Sequence, residues 1–137
     1  MELLRCKARL SVLWLTMAVG TVSAMFLSLL APDRIENVMA GHWSGMELNE
    51  GTMVVYALFF IIPMVVAILC LTLSGSANRW MNFILGIIWV VWFIFEIVYH
   101  VTMIATVPIA SWLMIIVGTV ISVYIVYFAW KLPKQES

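Results

Sequence analysis

Residues 80–107 constrain the fold of this chain more than any other segment, because they are long, apolar and almost free of charge. They contain one carboxylate, Glu96, and one imidazole, His100, but no lysine or arginine. A helix rises about 1.5 Å per residue, so a helix of this length crosses a hydrocarbon core of about 30 Å. The segment therefore predicts a transmembrane helix.

The composition extends this prediction to the whole chain. Of 137 residues, 65% are hydrophobic and only 10% are charged, and the mean hydropathy is +1.11. Soluble domains carry about a quarter charged residues, so this balance is typical of a membrane protein. The net charge of zero excludes a nucleic-acid-binding role. Cys6 and Cys70 form no C-x-x-C motif, which gives no support to a redox relay or a thiolate metal site.

Three further apolar segments also have the length of a membrane span. The loops after the second and third spans are short, so consecutive helices must lie side by side. We therefore predict a single all-α integral membrane domain over residues 1–137, folded as an up-down-up-down antiparallel four-helix bundle. The four predicted transmembrane helices cover residues 10–30, 52–73, 80–107 and 110–130. Asn78 is predicted to cap the third of them.

The connection at residues 31–51 is the largest loop. Asp33 and Glu36 have the spacing of a capping box, which predicts the start of a short helix. Gly41 is suited to end that helix. Apolar side chains recur on one of its faces, so we expect it to lie flat on the outer membrane interface.

The lysines and arginines predict the orientation. Six of the seven fall on one side of the membrane if four spans alternate, and Arg34 alone falls on the other side. Cytoplasmic loops are enriched in lysine and arginine. We therefore predict a multi-pass cell membrane protein with both termini in the cytoplasm and the 31–51 loop outside. The six cations are Arg5, Lys7, Arg9, Arg79, Lys131 and Lys134.

The candidate site lies in the third span. Glu96 and His100 are four residues apart and therefore share one helix face. Ionisable groups within a membrane span are costly and indicate a functional site by default. The candidate ligand-binding residues are Glu96, His100, Tyr99, Trp92 and Trp89. The alternative is that Glu96 and His100 form a buried hydrogen-bonded pair that only orients the bundle.

Other chemistry finds little support. The hydroxyls of Thr119 and Ser122 could extend the polar site, although hydroxyls in spans usually bond the carbonyl four residues earlier. A haem would need axial ligands, and the two histidines, His42 and His100, fall at different depths. No zinc-protease, serine-hydrolase or Walker motif is present. We therefore expect no catalytic residue, no metal and no cofactor.

The chain resembles a family of small bacterial four-span membrane proteins that is catalogued only as a domain of unknown function. The resemblance runs from LSVLW at residues 10–14 through IPM at 62–64. Its most specific part is ANRWMN at 77–82 with ILGII at 84–88, which is similar to the N-R-W-x-N-x-x-x-G-I turn of that family. The resemblance implies the four-span topology in the bacterial inner membrane and no chemistry.

Three functions remain open at this point. The first is binding or transport of a small lipophilic or cationic ligand at a site polarised by Glu96 and His100. The second is an accessory or structural subunit that packs in a larger membrane complex or a homo-oligomer, with an architectural polar pair. The third is a membrane enzyme acting on a lipid or quinone. In each case the lipid bilayer is the expected surrounding.

Overall fold

The computed structural model describes residues 2–43, 46–103 and 109–132. Four of its helices are long and apolar enough to cross a membrane, and they match the four predicted segments. A short fifth helix and a two-stranded hairpin lie between the first two. The elements are α1 (Glu2–Leu29), α2 (Arg34–Met39), β1 (His42–Trp43), β2 (Met46–Glu47), α3 (Glu50–Thr72), α4 (Gly75–Met103) and α5 (Ile109–Lys131).

Two of the long helices begin earlier than predicted. α1 starts at Glu2 rather than at residue 10, because the lysine and arginines of this segment are good helix formers that a hydropathy pattern does not count. α4 starts at Gly75 rather than at residue 80. The predicted end of the third span, residues 104–107, and Pro108 lie outside the described residues, as does Lys134.

The prediction that Asn78 caps α4 is wrong. Only Leu73 and Ser74 separate α3 from α4, and the backbone amide of Asn78 donates to the carbonyl of Ser74 at 2.9 Å inside the helix. The side chain of Asn78 donates instead to the carbonyl of Cys70 near the end of α3. Carbonyls in the last turn of a helix have no partner within that helix, so this contact satisfies one of them.

The short helix α2 is present where it was predicted, but its predicted capping box is not. Asp33 has a left-handed backbone with φ of 62°, and its side chain makes no capping bond. An N-cap side chain reaches its amide from an extended backbone, which explains the difference. Gly41 does end the helix, with φ of 82° and its amide bonded to the carbonyl of Val38 at 3.0 Å.

A reciprocal capping box occurs instead at the start of α3, where it was not predicted. The amide of Thr52 donates to Oδ1 of Asn49 at 3.1 Å, and the amide of Asn49 donates to Oγ1 of Thr52 at 2.9 Å. The antiparallel hairpin that leads into this cap, with His42 opposite Glu47, was also not predicted.

The long helices do not pack equally. α1 packs along α3 and α5, and α4 packs along α5, whereas the backbones of α3 and α4 approach each other little. The α4–α5 approach depends on Gly86 and Gly118, because a side chain at Gly118 would collide with the buried ring of Phe93. The core formed between the helices includes Trp14, Met17 and Ile125, each fully buried.

The two ends of the molecule differ in charge. At one end, Lys7 on α1 bonds the carbonyl of Leu73, and the guanidinium of Arg79 lies 5.0 Å from the ring centroid of Trp130. We call this the basic end, formed by residues 2–9, 73–79 and 127–132. The opposite acidic end carries α2, the hairpin and the start of α3. It includes the contact between the hydroxyl oxygens of Ser28 and Ser111, which are 3.3 Å apart.

Candidate functional site

All five predicted site residues lie on α4, and Glu96 and His100 contact each other. Nδ1 of His100 lies 3.3 Å from Oε2 of Glu96 and 2.8 Å from its backbone carbonyl oxygen. The side chain of Glu96 is 27% exposed and that of His100 is 14% exposed. Both residues lie in the last third of α4, towards the acidic end.

The two side chains have different neighbours on other helices. Tyr56 of α3 lies within electrostatic range of Glu96 and of Tyr99, whereas the ring of His100 lies 6.2 Å from that of Trp112 on α5. Oε1 of Glu96 makes no hydrogen bond to the described residues. Our sequence reasoning missed Tyr56 and Trp112. Tyr56 could have been identified from the sequence, because it places a phenol within the apolar segment 52–73.

One helical turn before Glu96, a groove opens between α3 and α4, whose backbones approach each other little. It has a volume of about 220 Å³, and its lining side chains are apolar. Two predicted site residues, Trp89 and Trp92, form part of its wall, and Trp92 precedes Glu96 by one helical turn. We call it the α3/α4 groove. Its lining residues are Val55, Leu58, Phe59, Ile62, Ile88, Trp89 and Trp92.

A chain of ring contacts leads from the interior towards the acidic end. Trp89, which is buried, is followed by Phe59, Trp92, Phe95 and Tyr99, and we call these five residues the aromatic ladder. Successive ring centroids are 5.9, 4.7, 5.8 and 6.1 Å apart. Trp92 and Phe95 are exposed at the surface of the protein. The ladder therefore presents aromatic faces along the side of α4 that carries Glu96.

A second polar group, which the sequence analysis did not identify as a site, lies near the basic end. The indole of Trp14 donates to Oδ1 of Asn82 at 2.6 Å, and the thiol of Cys70 donates to the same oxygen at 3.2 Å. The side-chain amide of Asn82 donates to the backbone carbonyl of Asn78 at 2.8 Å and also to its side-chain oxygen. We call these four residues the amide network; all four are fully buried.

Other polar candidates are bonded locally. Thr119 donates to the carbonyl of Ile115 at 2.7 Å, and Ser122 donates to the carbonyl of Gly118 at 2.8 Å. This confirms the simpler of the two interpretations of these hydroxyls. His42 is exposed, with Nδ1 3.0 Å from the carbonyl oxygen of Ala40. Within the described ranges, no three histidine, cysteine or acidic side chains are grouped so as to hold a metal ion.

The fold and these polar groups define a small helical protein with four helices long and apolar enough to cross a membrane. The chain belongs to a family of unknown function (DUF6326), whose model matches residues 4–137. This confirms the resemblance to a family catalogued as a domain of unknown function. No curated protein and no solved structure matches the chain.

Proposed function

We propose that this is an integral membrane protein that binds a small lipophilic ligand between α3 and α4. The apolar part of the ligand occupies the α3/α4 groove, and its polar head contacts Glu96 and His100. The four long helices cross the bilayer as an up-down-up-down bundle, with both termini in the cytoplasm. Transport of the ligand across the bilayer is the activity that such a site would serve.

Several features support this topology. Six of the seven lysines and arginines belong to the two terminal segments and the start of α4, and contacts such as that of Lys7 with Leu73 bring the N-terminal segment and the α3–α4 connection to one end. α2 exposes Ile35 and Met39, which suits a helix lying on the outer membrane interface.

Green fluorescent protein, which fluoresces in the cytoplasm but not after export to the periplasm, tests this arrangement in a bacterial host. Fusions at both termini should fluoresce and one after Gly41 should not, and a dark C-terminal fusion would contradict the orientation.

One observation carries the ligand proposal: among the described residues the carboxylate of Glu96 makes no hydrogen bond or ion pair to another helix, and it lies one helical turn beyond Trp92, which forms part of the wall of an apolar groove. An acidic group within a membrane helix is costly, by about 2.5–3.5 kcal/mol at the helix centre on insertion scales and by less towards the ends. The nearest ionisable partner, His100, belongs to the same helix and binds chiefly the backbone carbonyl of Glu96. A ligand head at Glu96 would offset this cost. A predominantly apolar concavity with a few convergent polar groups is typical of small-molecule sites.

Filling the groove tests the proposal. A phenyl-diazirine photoprobe is crosslinked to the full chain in lipid nanodiscs, and labelled peptides are quantified by mass spectrometry. We expect saturable labelling of residues 55–62 and 88–92. Ile88→Trp, inside the groove, should reduce this labelling several-fold. Ile84→Trp makes the same change at a similarly exposed position of α4 outside the groove and should leave it unchanged. Uniform, unsaturable labelling of all four helices would contradict the proposal.

An accessory or structural role is the second candidate, and a second groove favours it. This groove, of about 580 Å³, lies between α1 and α5 towards the acidic end. Its wall on α1 includes Gly20, Ser23 and Ala24, and small residues of this kind let a neighbouring helix approach closely. Crosslinking from a cysteine substituted at Ser23 to a co-purifying membrane protein would support this role. Saturable photoprobe labelling in the α3/α4 groove without such a partner would support ligand binding.

A further inference from the structure

We propose that the head group of the ligand is a cation, such as a small aromatic or alkyl ammonium. This inference rests on the proposed function and names the class of ligand that the same site selects. Three observations point to a positive charge: an oxygen of Glu96 that makes no hydrogen bond to the described residues, the placement of the described lysines and arginines, and the aromatic ladder.

The carboxylate of Glu96 is available to a ligand. Its Oε2 is 3.3 Å from Nδ1 of His100, but this nitrogen lies closer to the backbone carbonyl oxygen of Glu96, at 2.8 Å. A hydrogen on Nδ1 therefore satisfies the carbonyl first. Oε1 makes no hydrogen bond within the described part of the chain, and the side chain is partly exposed. A positively charged head group could approach this oxygen directly.

The position of the described lysines and arginines is the second observation. Those described on the long helices lie near the basic end, where Lys7 bonds Leu73 and Arg79 stacks on Trp130. Arg34 lies on α2 at the acidic end. Among the described residues, the ionisable group in contact with the carboxylate of Glu96 is His100 of its own helix. A cationic ligand would supply a counter-charge that the described residues of the neighbouring helices do not bring into contact with Glu96.

The rings around Glu96 select the same sign of charge. Trp92 precedes Glu96 by four residues and Tyr99 follows it by three, so both share its helix face. The faces of aromatic rings are electron-rich, so they attract cations such as quaternary ammonium groups and repel anions. A neutral head would gain only from burial. The carboxylate and the rings thus favour a cation together, and the apolar groove accepts the rest of the molecule.

Three ligands of closely similar shape test the sign of the charge. Benzyltrimethylammonium is the cation, neopentylbenzene replaces its nitrogen with carbon, and benzylsulfonate is the anion. Each competes with the phenyl-diazirine photoprobe on the wild-type chain in nanodiscs. The competing concentrations are expressed as mole fractions in the lipid, so that differences in partitioning do not enter the comparison. We expect the cation to compete at about tenfold lower concentration than the neutral compound, and the anion to compete least.

Variants then locate the source of the preference. Glu96→Gln should reduce the advantage of the cation several-fold, leaving only the part due to the rings, and should leave competition by neopentylbenzene unchanged. Glu47→Gln, which removes an exposed carboxylate of the acidic end outside the groove, should retain the advantage. Equal competition by cation and neutral compound on the wild-type chain would overturn this inference and leave the proposed function standing, since both would then bind. If no compound competes and labelling is unsaturable, the proposed function fails as well. A preference of undiminished size in Glu96→Gln would also overturn the inference, because the carboxylate would then not be its source.

Discussion

α4 carries two polar pairs with the same spacing but different surroundings. Asn78 and Asn82 are fully buried and are bonded to α1 through Trp14 and to α3 through the carbonyl of Cys70. Glu96 and His100 are partly exposed, and their mutual contacts remain within α4. The spacing of a polar pair in an apolar helix therefore does not by itself define what the pair does. The role depends on whether other helices supply partners.

The chemistry of the side chains explains the difference. A carboxamide both donates and accepts hydrogen bonds without charge, so the two asparagines can satisfy each other and their neighbours. Within the described ranges, every buried side-chain nitrogen or oxygen has a hydrogen-bond partner. An ionised carboxylate only accepts, and its charge requires a donor, a cation or water. The amide network is thus closed, whereas the Glu96 site is open to a further partner.

The largest expected effect on stability comes from Asn82→Leu. This change leaves the indole of Trp14, the thiol of Cys70 and the side-chain oxygen of Asn78 without the partners they now have. Because orphaned buried groups cost about 1–3 kcal/mol each, we expect the free energy of unfolding to fall by about 3 kcal/mol. Equilibrium unfolding in mixed micelles measures it. Asn37→Leu, at an exposed position of α2, is the control, and equal effects at both positions would remove the distinction between the two polar pairs.

A smaller effect is expected from Trp14→Phe, which tests the link between α1 and α4 alone. The substitution removes the hydrogen bond to Asn82 and retains a ring where Trp14 meets Trp89 edge-to-face. Unfolding free energy should fall by about 1 kcal/mol, the typical net value of one hydrogen bond. The comparison is Trp80→Phe, at an exposed ring near the basic end. A silent Trp14→Phe would show that the network does not hold α1 against α4.

The smallest effect on stability is expected from Glu96→Leu. His100 keeps its bond to the backbone carbonyl of residue 96, so no group is orphaned, and a carboxylate is removed from an apolar helix. The free energy of unfolding should stay within about 0.5 kcal/mol of the wild-type value or rise. The same micelle titration applies. A loss as large as that of Asn82→Leu would make Glu96 an architectural residue and end the contrast between the two pairs.

The sequence predicted those features that depend on local pattern. Runs of apolar residues indicated the four long helices, and spacing placed Glu96 and His100 in contact. Partners contributed by another helix were not predictable in this way. Trp14 and Asn82 are 68 positions apart, and nothing in the period of either helix relates them. For this reason the N-R-W-x-N segment was interpreted as a turn signature, although its asparagines connect three helices.

Capping shows the same limit at short range. Asp33 and Asn49 both precede helices with a suitable residue three positions later, yet only Asn49 forms the reciprocal bonds. The left-handed backbone at Asp33 follows the end of α1 and Pro32, so it depends on how the chain leaves one helix before it enters the next. The residue types at the cap positions alone do not determine that backbone conformation.

A side chain at Gly118 would collide with Phe93. Substitutions at these two positions should therefore be linked. Considered within α5 alone, Gly118 is a weak helix former that alanine would improve by about 1 kcal/mol. With Phe93 opposite it, that improvement is unavailable unless the ring becomes smaller. Among relatives, a larger residue at the position of Gly118 should therefore accompany a smaller one at the position of Phe93, and a chain that enlarges Gly118 while keeping Phe93 should lose the close α4–α5 contact.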